Sequence, residues 1–227
     1  MSRRITITAE YFRQYRQKLG FNNQAEVKNF FGAKDIIPVV DLNYLKLLNK
    51  RLYEIVARVN SVVSNDVKLA DLVDFKKEHI DRPFEIMRTN DILQALNNLG
   101  RRLEQVYFSW MRGYVVSNFF LKALGAIFEI DAAKIDFIGD DDLKNAEIFK
   151  KTPKADLEIS LNGKKKIRVE MQSGFTRTND VKQHKVLEAK RVFREEGIHS
   201  LAIHIDLYNG QVAFVKLDEI EDGDVNW

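Results

Sequence analysis

Two short segments, Ala155-Asp156-Leu157-Glu158-Ile159 and Ile167-Arg168-Val169-Glu170-Met171-Gln172, alternate apolar and polar residues on either side of Asn162-Gly163. That alternation predicts a β-hairpin with one apolar face and one face carrying carboxylates and an amide. Asp156, Glu170 and Gln172 fall on the polar face, a donor set suited to holding a divalent cation against a phosphate. The register follows from the requirement that both arms present their apolar residues together, because a slip of one residue sends every side chain to the opposite face. A two-residue Asn-Gly loop pairs Leu157 with Arg168 and fails. A three-residue loop, Asn162-Gly163-Lys164, pairs Ile159 with Ile167 and Leu157 with Val169, and sets Asp156 opposite Glu170. Directly opposed like charges are unfavourable in a sheet, so a cation between them, or a carboxyl that keeps its proton, is expected. The plainer alternative is a solvated hairpin face paired with Lys165 and Arg168.

The elements that must position this hairpin can be read on either side of it. Leu93, Leu96, Leu99, Leu103, Val106 and Trp110 recur at three- and four-residue spacing and predict an amphipathic helix running to Leu124-Gly125, where the glycine would stop it. Ala126 to Ile138 reads as a strand region. After the hairpin, Asn179 or Asp180 would cap a helix that ends at Glu196 before Gly197. Ser200 to Tyr208 alternates as a strand, Asn209-Gly210 turns, and Gln211 to Leu217 forms the last strand.

Asp156 followed by Glu170-Met171-Gln172 resembles the catalytic signature of the PD-(D/E)xK nuclease superfamily, best known from type II restriction endonucleases. The resemblance covers about the second half of the chain. It implies an α/β fold with a restriction-endonuclease-like αβββαβ core and a central mixed sheet, and helix, three strands, helix, strand is the order read above. It implies Asp156 and Glu170 as Mg2+ ligands, with the Met171 backbone carbonyl as a further one, and hydrolysis of phosphodiester bonds in double-stranded DNA. Gln172 stands where the family carries lysine. An amide orients a water by hydrogen bonding but supplies neither charge nor a titrating base. Lys182 or Lys185, one turn apart on the following helix, would supply the amine, or are solvated helix lysines. Glu104 matches the position from which some members contribute an extra acid, or is a surface partner of Arg101.

The loop Ser173-Gly174-Phe175-Thr176-Arg177-Thr178-Asn179 leaves the strand directly after Gln172. Thr176, Arg177 and Asn179 are therefore expected against DNA. Arg177 and Asn179 have the donor and acceptor geometry for guanine and adenine edges, with phosphate contact and helix capping as the plainer roles. Residues 1–90 read as a helical subdomain, with 91–227 as the catalytic core. Tyr11 to Leu19 and Gln24 to Phe31, broken by Gly20-Phe21-Asn22-Asn23, resemble a helix-turn-helix in which Gln24, Lys28 and Asn29 would face DNA. Leu42 to Val63 follows as a longer amphipathic helix, and Pro83 marks a break. These helices equally suit a dimer interface, and cutting both strands of a symmetric site calls for a homodimer.

Composition sets the outer limits. The chain has 227 residues, 45% hydrophobic and 30% charged, which is ordinary for a globular protein that buries a sizeable core. Net charge is only +3, but thirteen Lys and Arg stand against five Asp and Glu between Lys150 and Arg194, a basic excess around the acidic hairpin that would attract a phosphate backbone. The absence of cysteine excludes a disulfide scaffold, a thiolate zinc site and a cysteine nucleophile. The histidines, His79, His184, His199 and His204, lack metal-ligand spacing and read as structural. With no signal-peptide pattern at Met1-Ser2-Arg3-Arg4 and the most apolar run broken by Ser117, Asn118 and Lys122, a cytoplasmic protein without a membrane partner is expected. A repair or junction-resolving nuclease, and a non-catalytic helix-turn-helix DNA-binding protein, are the competing readings.

Overall fold

A computed structural model describes residues 8–33, 35–96, 102–139, 155–161, 165–175 and 181–221. Two short helices come first, α1 (Ala9–Lys18) and α2 (Gln24–Phe31). Each is opened by a side chain that accepts from the first turn, Thr8 from the Tyr11 N–H and Asn23 from the Glu26 N–H. Glu26 in turn reaches back to accept from the Asn22 N–H at 2.8 Å, just before the cap. Neither helix buries a residue.

The helix α3 (Leu42–Val62) faces the core with Leu45, Asn49, Leu52 and Val56, one stripe of a 3.6-residue period. The next helix, α4 (Leu72–Lys76), passes through a π-helical turn (Lys77–Asp81) straight into α5 (Arg82–Thr89). Pro83 therefore does not break the chain. It sits in the first turn of α5, where its missing N–H costs least. The expected single helix from Leu93 to Leu124 is two helices, α6 (Ile92–Ala95) and α7 (Leu103–Ile127).

Gly125 does not end α7. It lies inside the helix because the chain folds back over it: the Ile130 N–H donates to the Gly125 carbonyl at 2.9 Å, and Glu129 takes the left-handed conformation (φ 54°). A Cβ on Gly125 would meet the Ile130 carbonyl oxygen at 2.9 Å. The helix and this reversal consume most of the segment expected as strand, leaving β1 (Ile135–Phe137).

The remaining elements are β2 (Leu157–Leu161), β3 (Lys165–Gly174), α8 (Gln183–Glu196), β4 (His199–Asp206) and β5 (Gln211–Lys216). Together they form an α/β arrangement whose five-stranded sheet has the order β1-β2-β3-β4-β5. The sheet is mixed: β3 and β4 run parallel, and the other neighbours run antiparallel. The hairpin register is the expected one, with Leu157 opposite Val169 and Ile159 opposite Ile167. Its connection falls on 162–164, outside the described residues.

Two large apolar clusters result. Helices α3, α5, α6 and the first part of α7 enclose Leu45, Leu52, Ile80, Met87, Tyr107 and Met111. One face of the sheet, with Leu157, Ile159, Val169 and Ile203, packs on Val116 and Leu124 of α7. The opposite face meets α8 through a smaller contact of Ala189, Ala202 and Leu217. No helix among the described residues is long and apolar enough to cross a membrane.

Candidate functional site

Because Leu157, Val169, Ile203 and Ile205 point to α7, alternation sends Asp156, Glu170, Gln172 and His204 to the α8 face. The polar residues of that face sort into two groups. Arg168 pairs with Glu196 at 2.9 Å and lies 3.7 Å from Glu158, which also takes Lys166 at 2.6 Å. These cations are thus engaged by Glu158 and Glu196. Towards the C-terminal end of β3 stand Asp156, Glu170 and Gln172.

Asp156 is tied into the sheet at three points. Its N–H donates to the Val169 carbonyl, its carbonyl accepts from the Ile138 and Gly139 N–H groups, and its Oδ2 accepts from the Met171 N–H at 2.7 Å. The first of these bonds is offset by one residue from the register of the hairpin, whose regular pairing ends at Leu157 and Val169. A regular ladder would have set Asp156 squarely against Glu170. Instead the Asp156 carboxylate caps a strand amide, and the bond relieves part of the charge opposition that a straight continuation would have imposed.

Glu170 meets Lys185 of α8, with Nζ 2.7 Å from Oε2. Both side chains are largely buried, Glu170 at 12% and Lys185 at 20% exposure. They line a small cavity of ≈ 20 Å³ with Ala155, Arg168, Glu188 and Ser200. That volume matches about one water. Of the two helix lysines proposed to replace the missing motif lysine, Lys185 is the one brought to the acid. Lys182 takes the N-cap position of α8, where its side chain makes no capping bond, and is exposed.

Gln172 is half-buried and lies beside His204 on the parallel strand β4. His204 is 9% exposed, and neither ring nitrogen has a hydrogen-bond partner among the described residues. Burial pushes its pKa below 6.5, with the Asp206 charge opposing. The imidazole is therefore neutral near pH 7, with one donor and one acceptor. Read as structural in the sequence, His204 shares the face of Gln172. The alternation of Leu201, Ile203 and Ile205 already held that signal, because it assigns residue 204 to the opposite face.

Other expected residues lie elsewhere. Glu104 is buried at the start of α7, where its Oε1 accepts from the Asp41 N–H at 3.3 Å, at the N-cap of α3. Among the described residues no group of three His, Cys, Asp or Glu is gathered as a metal site, so Glu104 does not complete a set with Asp156 and Glu170. Gln24 and Lys28 are exposed on α2, beside a cluster of Phe21, Phe30 and Phe31 rings. Thr176, Arg177 and Asn179 lie outside the described residues; α8 starts later than expected, with Lys182 at its N-cap in place of Asn179 or Asp180, because the chain turns helical only at Gln183.

The fold and the face define an α/β protein with a mixed sheet, one of whose surfaces gathers two carboxylates, an amide and a lysine. A scan of protein families, a search of curated proteins and a search of solved structures each return no significant match for this chain.

Proposed function

We propose that this chain is a Mg2+-dependent endonuclease that hydrolyses phosphodiester bonds of double-stranded DNA, in the manner of a type II restriction enzyme acting as a homodimer. The observation that carries the reading is the contact of Lys185 with Glu170 beside Asp156, an amine from the helix after the hairpin meeting the acid on β3. The succession α7, β1, β2, β3, α8, β4 agrees with the αβββαβ order that the PD-(D/E)xK resemblance implies.

The donors fit magnesium. Asp156, Glu170 and the Met171 carbonyl are all oxygen ligands, and a hard cation that retains several waters needs few more besides a phosphate oxygen. Bound there, the ion would neutralise developing charge on the phosphate and lower the pKa of a coordinated water. Lys185 balances the Glu170 carboxylate and places positive charge where the phosphate oxygens gather electrons. Gln172 hydrogen-bonds the attacking water, orienting it without accepting its proton. The Asp156 bond to the Met171 N–H holds β2 and β3 in fixed relation, so that both carboxylates are positioned before substrate arrives.

Incubation of supercoiled plasmid, phage DNA and a four-way junction with the protein and Mg2+ tests this. Discrete fragments from the plasmid support site-specific restriction, whereas cutting confined to the junction supports a resolving nuclease. Glu170→Ala should abolish cutting while leaving the fold intact. Intact DNA with every metal and salt tried, together with duplex binding unaltered in Asp156→Ala, would leave a non-catalytic DNA-binding protein.

A further inference from the structure

On the other side of β3, one cation has no carboxylate partner among the described residues. Arg112 of α7 holds its guanidinium carbon 4.8 Å from the centroid of the Phe175 ring and 6.0 Å from that of Phe108. Its Nε is buried without a hydrogen-bond partner, and no carboxylate pairs with Arg112 among the described residues. Burial alone pulls its pKa down, with no neighbouring charge acting against the shift. Largely buried cations are normally paired, and Lys185 and Arg168 in this molecule are, with Glu170 and Glu196 respectively. Among the described residues Arg112 lacks that compensation, a cost that a bound anion would offset.

Its position indicates which ligand. Phe175 directly follows β3 and stands three residues beyond Gln172, roughly 10 Å along an extended strand. Glu170 lies two residues further back, about 17 Å from Phe175 along the strand and on the opposite face, so the guanidinium stacked on that ring stands a few nucleotides from a phosphate held at Asp156 and Glu170. A planar fork pre-organised on an aromatic ring suits a phosphate diester better than a flexible ammonium would.

We propose that Arg112 is a phosphate-binding residue, held by Phe175, that grips the nucleic-acid backbone a few nucleotides from the bond to be cut. The identity of this ligand rests on the nuclease reading, whereas the anion site itself does not. A phosphate contact positions the duplex irrespective of sequence, so its loss weakens all duplexes alike.

The test is fluorescence anisotropy of labelled duplexes of unrelated sequence, with Ca2+ in place of Mg2+, across a salt series. Thermal melts with inorganic phosphate run in parallel. Arg112→Gln should weaken every duplex about tenfold and reduce the slope of log affinity against log salt by about 0.9, one phosphate's worth of released counterions. Arg112→Lys keeps the charge but not the fork, so it should recover the slope and only part of the affinity. Phe175→Leu should weaken binding with the slope nearly unchanged. Unaltered affinity and slope in a folded Arg112→Gln variant overturn the proposal, as does a wild-type protein that binds neither duplex nor phosphate. Stabilisation by inorganic phosphate that Arg112→Gln abolishes, without any change in duplex binding, overturns the nucleic-acid assignment. Wild-type protein that binds duplex through Arg112 yet cuts nothing with Mg2+ removes the nuclease reading and leaves Arg112 standing. Normal cutting by Arg112→Gln does the reverse.

Discussion

Replacing Lys185 by methionine keeps the side-chain length and removes the charge that faces Glu170. At 2.7 Å and an effective dielectric near 20, the pair's gross attraction is roughly 6 kcal/mol, most of it offset by desolvation of the two ions. What the substitution exposes is the cost of removing this amine from a largely buried carboxylate, about 1.5–3 kcal/mol. For a chain of 227 residues, each kcal/mol moves the melting temperature by about 2–4 °C, so Lys185→Met should melt about 3–12 °C below wild type. Magnesium then acts in the opposite direction. A ligand bound only by the folded state adds about 2.7 kcal/mol at one hundred times its dissociation constant, and the variant, relieved of the competing Lys185 charge, should bind the ion more tightly and gain more than wild type. Calorimetric melts at neutral pH with and without Mg2+ measure both effects, and Glu170→Gln should lose the Mg2+ response altogether. A variant that melts with wild type would show that the Lys185 contact carries no energy. A melting temperature indifferent to Mg2+ in both proteins would refute Glu170 as a ligand.

Three further outcomes follow from other contacts. Tyr107→Phe removes the hydroxyl that donates at 2.6 Å to the buried Asn49 side chain, and should cost about 1–3 kcal/mol in urea unfolding; no loss would mean that Asn49 finds another partner. Gly125→Ala should destabilise by about 1–3 kcal/mol although alanine is the better helix former, because its Cβ meets the backbone at Ile130 and Ala132; a more stable variant would show that the reversal yields. Burial holds His79 and His204 below the ordinary 6.5, so the unfolded chain takes up protons first and stability falls as pH drops below about 6.5, by at most about 1.4 kcal/mol per unit for each histidine until its folded-state pKa is passed. His204→Leu should flatten that decline in urea midpoints measured between pH 7.5 and 5, and an unchanged slope would count against a neutral buried imidazole.

The parts of this molecule that could be read in advance are those governed by local periodicity. The hairpin register emerged because only one loop length lets Leu157, Ile159, Ile167 and Val169 share a face, and the structure pairs them that way. The ends of α2 and α8 coincide with Phe31 and Glu196, and Gly197 takes the left-handed conformation that stops α8. What escaped was set by contacts distant in sequence. Gly125 looks like a helix stop until Ile130 folds over it. Glu104 carries the charge of a ligand, but α3 presents the Asp41 amide to it. Asp156 leaves the regular ladder because its side chain finds the Met171 N–H, a bond that alternation cannot foresee. Arg112 and Phe175 lie far apart in the chain, and nothing in either segment announces their stacking.

The helix α7 carries residues of both major clusters, Tyr107 and Met111 in one, Val116 and Leu124 in the other. A continuous rod of 25 residues shared in this way acts as a common keel. Loosening either cluster strips apolar surface from the same helix and weakens its hold on the other, which ties the packing around α3 to the fate of the sheet that bears Asp156 and Glu170. Disturbances seeded among the helical residues are therefore passed along α7 as altered cooperativity of melting, without any contact of their own with the acidic face.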